Sequence, residues 1–516
     1  MGISSASTDP QDISNTQLPP AHHAATSPYT FAEFLASTLG SVAKTLYYNY
    51  TMLFYDPINF FLTIGVFFTL LVTMSIVTVV MDILSKARII KFLSEEYGQG
   101  MSPVNWGSPE IFNEGTVYIE AAGESLSSTS KEKSNYVEVD GSMAIQSKSF
   151  DTGVAVATLL LSALVYERDE SSWPKDPKQR ELTITSYAKK WNLKFIKGSE
   201  MKVKGGGPYC GVFVGRKPGP FIVVAFKGTS PLDSAEWLSD ATLTRTQASS
   251  YVYGEVHSGF FNKLFPQQHT TGKVKRSNPY VEIIHCIQKE ALAFQNQGDP
   301  IRPIPLWITG HSLGAALASL FFARVMKSKD DLEYSRTGLI LKDGYTFGCP
   351  SLGDGRFASE FASHTNLPFT NQSTLWRVVN DADIVARIPT GNDDLDTLRF
   401  FTSSSLLNYA HIGQSLRLFT DGRNPSIQPA RYSSIFFVPN LTIEEGFSLW
   451  RKIYHLIKDF LPVGLTGDYP ELKELNPITV GELFVPKLIA DHSPSRYFWS
   501  LKSAKDYLTR LDPPKK

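Results

Sequence analysis

The sequence predicts an α/β domain with a mostly parallel central sheet, preceded by a long apolar helix able to span or enter a membrane. Three observations carry this. Residues 57–81 form a run of 25 residues without a charge, bounded by Asp56 and Asp82. From Asp151 onward, short β-branched runs alternate with runs of helical spacing. A Gly-His-Ser-Leu-Gly turn at 310–314 joins one such strand to one such helix.

Composition narrows the classes further. The 516 residues carry 50 Lys+Arg and 50 Asp+Glu, so no polybasic surface points to nucleic acid. A hydrophobic share of 42% is too high for a mostly disordered chain. Cys210, Cys286 and Cys349 are odd in number and far apart, which suits buried thiols in a reducing compartment and neither a disulfide framework nor a zinc site.

Taken in order, residues 1–27 are rich in Ser, Pro, Asp and Gln and read as a disordered tail. Residues 28–93 form the anchor region. A bilayer core needs about 20 apolar residues in a helix, so 57–81 can cross it. The run starts too late for an ordinary cleaved signal peptide, so an uncleaved anchor is expected. The aromatic stretch 31–50 would lie in the interface beside it, or pair with it around Asp56-Pro57 as a hairpin dipping into one leaflet. Lys86, Arg88 and Lys91 follow the run while Lys44 precedes it, which places the C-terminal part in the cytosol. Sequons at Asn49, Asn371 and Asn440 would matter were that part luminal. Residues 94–150, with 9 acidic and 3 basic side chains, read as a mobile acidic linker. The globular domain is expected over 151–516: helices at 154–166, 280–294 and 315–326, and strands at 221–226, 304–308, 345–347 and 375–379.

The Gly310–Gly314 turn is the sharpest chemical signal. In a strand–turn–helix setting, a central serine is held on a tight turn with its hydroxyl protruding, and small neighbours admit a substrate. The following helix directs its N-terminus at developing negative charge. Ser312 is therefore the candidate nucleophile, and it needs a base. Three histidines follow it: His411, His455 and His492. His455 falls in an expected amphipathic helix, 443–461, and reads as a packing or surface residue. His411 is catalytic or structural. His492 lies late, in a loop after the strand-like stretch 481–490, which favours it as the base. The acid should follow a strand after the nucleophile helix, where Asp381 and Asp383 serve equally well on spacing alone.

At these residues the chain resembles the class 3, fungal-type triacylglycerol lipases. The similar blocks occur in family order: VVAFKGTSP at 223–231, EWLSDATL at 236–243, VHSGF at 256–260, GHSLGAAL at 310–317, TFGCPSLGD at 346–354, DIVARIP at 383–389, YAHIG at 409–413 and DHSPSRYF at 491–498. The resemblance implies an α/β-hydrolase fold and the triad Ser312, Asp383 and His492, with His411 outside it. It implies an oxyanion hole from Thr229 and Leu313, and a lid around 231–241 whose Leu232, Trp237 and Leu238 meet lipid. Ala386 stands where the family usually has Pro, and Ala315 replaces a common Gly. The anchored arrangement looks most similar to oil-body lipases. The implied activity is hydrolysis of acylglycerol esters at an endoplasmic-reticulum or lipid-droplet surface, with no cofactor and no metal. Rival expectations are a membrane phospholipase or diacylglycerol lipase, or an inactive hydrolase-fold interaction protein. The zero net charge also divides: residues 1–150 hold 7 basic and 14 acidic side chains, leaving a mildly basic remainder suited to an anionic lipid surface.

Overall fold

The structure is a computed structural model with side chains. It describes residues 30–55, 57–89, 92, 109–129, 136–139, 142–145, 150–167, 182–201, 209–229, 241, 244–266, 278–296, 298–365, 373–389, 409–419, 424–429, 457–466 and 483–511. The calls on 1–27, on the sequons Asn371 and Asn440, on His455 and on 443–456 lie outside these residues.

Eight strands form one sheet: β1 (Leu193–Glu200), β2 (Tyr209–Gly215), β3 (Phe221–Phe226), β4 (Ile304–His311), β5 (Leu339–Phe347), β6 (Leu375–Asn380), β7 (Gln414–Leu418) and β8 (Ser426–Pro429). They lie across the sheet in chain order. The pairs β3–β4, β4–β5, β5–β6 and β6–β7 are parallel, while β1–β2, β2–β3 and β7–β8 are antiparallel. This mostly parallel sheet is covered on both faces, as strands of continuous apolar character require.

The period of two along each strand divides the core. Ile222, Val224 and Phe226 of β3 join Ile304, Leu306 and Ile308 of β4 on one face. Phe221, Val223 and Ala225 join Trp307 on the other. The first face is covered by helices at Pro279–Leu292 and Leu313–Lys327. The second is covered by Gly115–Ser127, Thr152–Leu164 and Pro494–Leu511. We label the helices α1 (Phe31–Asn49), α2 (Pro57–Lys86), α3 (Gly115–Ser127), α4 (Thr152–Leu164), α5 (Pro279–Leu292), α6 (Leu313–Lys327) and α7 (Pro494–Leu511). Twelve of the thirteen residues of α4 are buried, so its apolar run is a core helix packed under the sheet.

Two expectations change here. Part of the expected linker is core. Ile111, Phe112, Ile119, Ala122 and Leu126 are buried in the second face. The Trp191 indole donates to the Phe112 carbonyl at 3.2 Å and the Trp307 indole to the Leu126 carbonyl at 2.8 Å. Within α3, Glu120 and Glu124 are exposed, so its buried residues follow the helical period behind a polar outer side. The strand-like stretch before His492 is also not a strand where it is described: Pro486 makes one isolated bridge to Pro462, and Lys487–Ala490 is a helical turn.

At the N-terminus, Thr30 and Glu33 close a capping box on α1. Within α2, Phe67–Lys86 is long and apolar enough to cross a bilayer by length and composition. Its side chains are not those of a core helix: Phe68, Ile76, Val79 and Ile83 are all exposed.

Candidate active site

The turn at the end of β4 explains its own sequence. Ser312 holds φ 57° and ψ −128°, a left-handed conformation costly for a residue with a Cβ. Its N–H donates to the Phe347 carbonyl at 2.9 Å, which ties the turn to β5. A Cβ on Gly310 would stand 2.2 Å from the Gly314 carbonyl oxygen, and one on Gly314 2.1 Å from that of Phe226. Both contacts are to backbone, so the two glycines are required by space. Ser312 is thereby held at the N-terminus of the fifteen-residue α6, where the first N–H groups have no helical partner.

The candidate acid and the candidate base meet. Asp383, in the turn after β6, accepts from His492 Nδ1 at 2.9 Å and from the Tyr497 hydroxyl at 2.6 Å. Its other oxygen accepts from the Val385 N–H at 2.9 Å and the Ala386 N–H at 3.3 Å. Proline at 386 would have no such N–H, so the departure noted in the sequence adds a donor. Burial works to raise the Asp383 carboxyl, but the His492 charge and the His492 and Tyr497 hydrogen bonds prevail and hold it below the ordinary aspartate range. Asp381, equally eligible on spacing, is turned away and pairs with Lys487 at 2.6 Å.

His492 Nε2 is buried and makes no hydrogen bond, so Ser312 Oγ is not yet joined to it. The two residues are nonetheless linked through their neighbours. His311 Nε2 meets the His492 carbonyl oxygen at 2.7 Å, and His311 Nδ1 meets the Tyr166 hydroxyl at 2.9 Å. Burial lowers the His311 pKa to about 3, so the ring is neutral. A carbonyl only accepts, so the proton is on Nε2 and Tyr166 donates to Nδ1. Gly348, at φ 62°, leaves room for this contact: a Cβ there would lie 2.7 Å from His492 Cε1.

Thr229 is buried just beyond β3. Its neighbour Gly228 packs against the turn so closely that a Cβ would stand 2.6 Å from the His311 carbonyl. Leu313 is the first residue of α6 and is buried. Leu232, Trp237 and Leu238 lie outside the described residues. His411 is buried away from the acid, with Nε2 3.0 Å from Arg377 and 3.1 Å from the Ser351 hydroxyl; burial and then Arg377 hold it neutral. All three cysteines are free, and burial raises each thiol above its ordinary value. Among the described residues, no three His, Cys, Asp or Glu side chains are grouped to hold a metal ion. Sequence reasoning missed Tyr166, Tyr497 and the role of His311. Only Tyr497 left a signal, five residues after His492 in the same block.

The sheet, the strand–turn–helix serine and the Asp–His pair beyond later strands define an α/β-hydrolase domain. Residues 223–392 match the model of the family described as lipase (class 3), and the chain carries a class 3 lipase domain there. Triacylglycerol lipase OBL1 of Nicotiana tabacum is 25% identical over 356 residues, covering 57% of this chain and 57% of that protein. Phospholipase A1-II 3 of Oryza sativa subsp. japonica is 28% identical over 174 residues, covering 32% of this chain and 38% of that protein. The chain thus spans little more than half the length of these curated relatives at most. Among solved structures, the lipase from Rhizopus microsporus var. chinensis is 21% identical with a TM-score of 0.31, covering 49% of this chain and 70% of that one.

Proposed function

We propose that this protein is a membrane-anchored serine lipase that hydrolyses carboxylester bonds of acylglycerols. The observation that carries the reading is the buried Asp383–His492 hydrogen bond placed beside the left-handed turn of Ser312. Ser312 attacks the ester carbonyl as His492 Nε2 takes its proton. Asp383 holds the ring with Nδ1 protonated and stabilises the imidazolium. The N–H of Leu313, together with Thr229, faces the developing oxyanion; one such donor is worth about 3 kcal/mol of barrier. His492 then protonates the leaving glycerol oxygen, and water releases the fatty acid by the reverse sequence. The chemistry uses side chains and backbone alone.

The exposed apolar surface of α2 supports an anchor, the oil-body lipase relatives support a membrane or lipid-droplet surface, and Lys86, Arg88 and Lys91 after the apolar run favour a catalytic domain in the cytosol. The phospholipase A1 relatives favour a second reading, in which the ester belongs to a phospholipid. Hydrolysis of a panel of emulsified triolein, diolein and phosphatidylcholine by wild type and Ser312→Ala tests both. Fatty acid release by wild type from the neutral glycerides, abolished in Ser312→Ala, is expected. Release from phosphatidylcholine alone would transfer the assignment to the second reading, and release from none would overturn the enzyme.

A further inference from the structure

Asp381 is unused by the mechanism, yet it belongs to a buried ion group lying against the acid–base pair. Lys487 Nζ stands 2.6 Å from Asp381 Oδ2 and 2.7 Å from Asp491 Oδ2. Arg496 meets the other Asp491 oxygen at 3.2 Å. Asp491 Oδ2 also accepts the Ala382 N–H at 3.2 Å, the Asp491 carbonyl accepts Asn380 Nδ2 at 2.9 Å, and Arg387 donates to the Asp381 carbonyl. Lys487, Asp491, Arg496 and Asp381 are all buried. Burial opposes the Lys487 charge, but Asp491 and Asp381 outweigh it and keep the amine protonated.

The placement of these charges is specific. Asp381 is two residues before Asp383, and Asp491 is next to His492. The segment with Asp383 and the segment with His492 are 109 residues apart in the chain. They must still meet to within tenths of an ångström for the Asp–His hydrogen bond to form. Well-packed apolar side chains would join two segments at least as stably as a buried ion group, whereas fixed charges allow only one register.

We propose that Lys487 is a positioning residue for the triad: by bridging Asp381 and Asp491 it sets the register of the base segment on the acid segment. The proposal rests on the assignment of Asp383 and His492 as acid and base. It gives Asp381 a role through Lys487, without contact with substrate.

Asp381→Asn is the cleanest test. Asn tolerates the φ of 24° at this position, and Lys487 keeps Asp491 as a partner, so the fold should survive. With p-nitrophenyl butyrate, kcat is expected to fall about tenfold with KM within twofold, as for an interaction felt in the transition state. Lys487→Met should fall further, and Lys487→Arg should recover part of the loss. A folded Asp381→Asn variant with kcat within twofold of wild type would overturn the proposal. So would a loss of kcat that merely tracks a large fall in Tm. If Lys487→Met does not fold, Asp381→Asn decides alone. Should wild type prove inactive, or Ser312→Ala active, the functional reading fails separately. The downfield proton resonance of His492 Nδ1–H shared with Asp383 then decides: shifted or broadened in Asp381→Asn supports the bridge, unchanged removes it.

Discussion

Asp383 has four donors around it, and Tyr497 is the only one among them that is neither His492 nor backbone. A hydrogen bond to a charged group contributes about 1.5–3 kcal/mol, so Tyr497→Phe should lower kcat by about tenfold or more. The same bond depresses the Asp383 pKa. Removing Tyr497 should therefore raise the Asp383 pKa, read as its carboxyl carbon titration by NMR. An unchanged titration in Tyr497→Phe would contradict this. His311 has a pH signature of its own, in stability. Its ring is neutral when folded down to about pH 3, whereas the unfolded ring takes a proton near 6.5. Stability should therefore fall as pH drops from about 6.5 towards 3, by an amount on the order of 5 kcal/mol. Urea midpoints measured from pH 7 to 4 should show this slope in wild type and a flatter one in His311→Gln. At this scale Ser312 was legible because a nucleophile turn constrains five consecutive residues. The choice between Asp381 and Asp383 was open on spacing and was made only by the family resemblance; in the structure Asp381 contacts Lys487 and Asp383 contacts His492.

At the scale of elements, the turn between β4 and α6 is the least tolerant part of the fold. An added methyl at Gly310 or Gly314 meets backbone carbonyls that cannot rotate away. Gly310→Ala and Gly314→Ala should each destabilise the domain by about 2–3 kcal/mol or more, read as a lowered denaturation midpoint; a neutral result would mean that α6 can shift away from the ends of β3 and β4 at little cost. The strands readable in the sequence were β3, β4, β6 and the last three residues of β5, whose β-branched and aromatic residues are buried on both faces. β1 was hidden by its lysines, which an edge strand keeps in solvent. β2 was hidden by Cys210 and Gly211, small residues that let neighbours approach: a Cβ on Gly211 would lie 2.9 Å from Phe195. The helices at 109–127 were missed because polar outward residues dominate the composition while the buried ones follow the helical period.

For the whole molecule, the opposed charge of residues 1–150 and the remainder predicts salt-sensitive adsorption. Binding of the full chain to vesicles containing phosphatidylserine should weaken from low to high ionic strength beyond the effect on neutral vesicles. Equal salt dependence on both would show that the basic excess does not face lipid. The position of α3 has a further consequence. With 109–127 packed in the core, only 16 residues separate Phe92 from Pro109. Fully extended, that stretch reaches no more than about 60 Å. If α2 anchors the chain as proposed, a domain leashed so closely to it would search a disc of lipid only a few molecular diameters wide. The proposed lipase would then work in cis, on the bilayer or droplet that carries it. In a mixture of vesicles, those bearing the protein should lose ester while their unlabelled neighbours keep theirs.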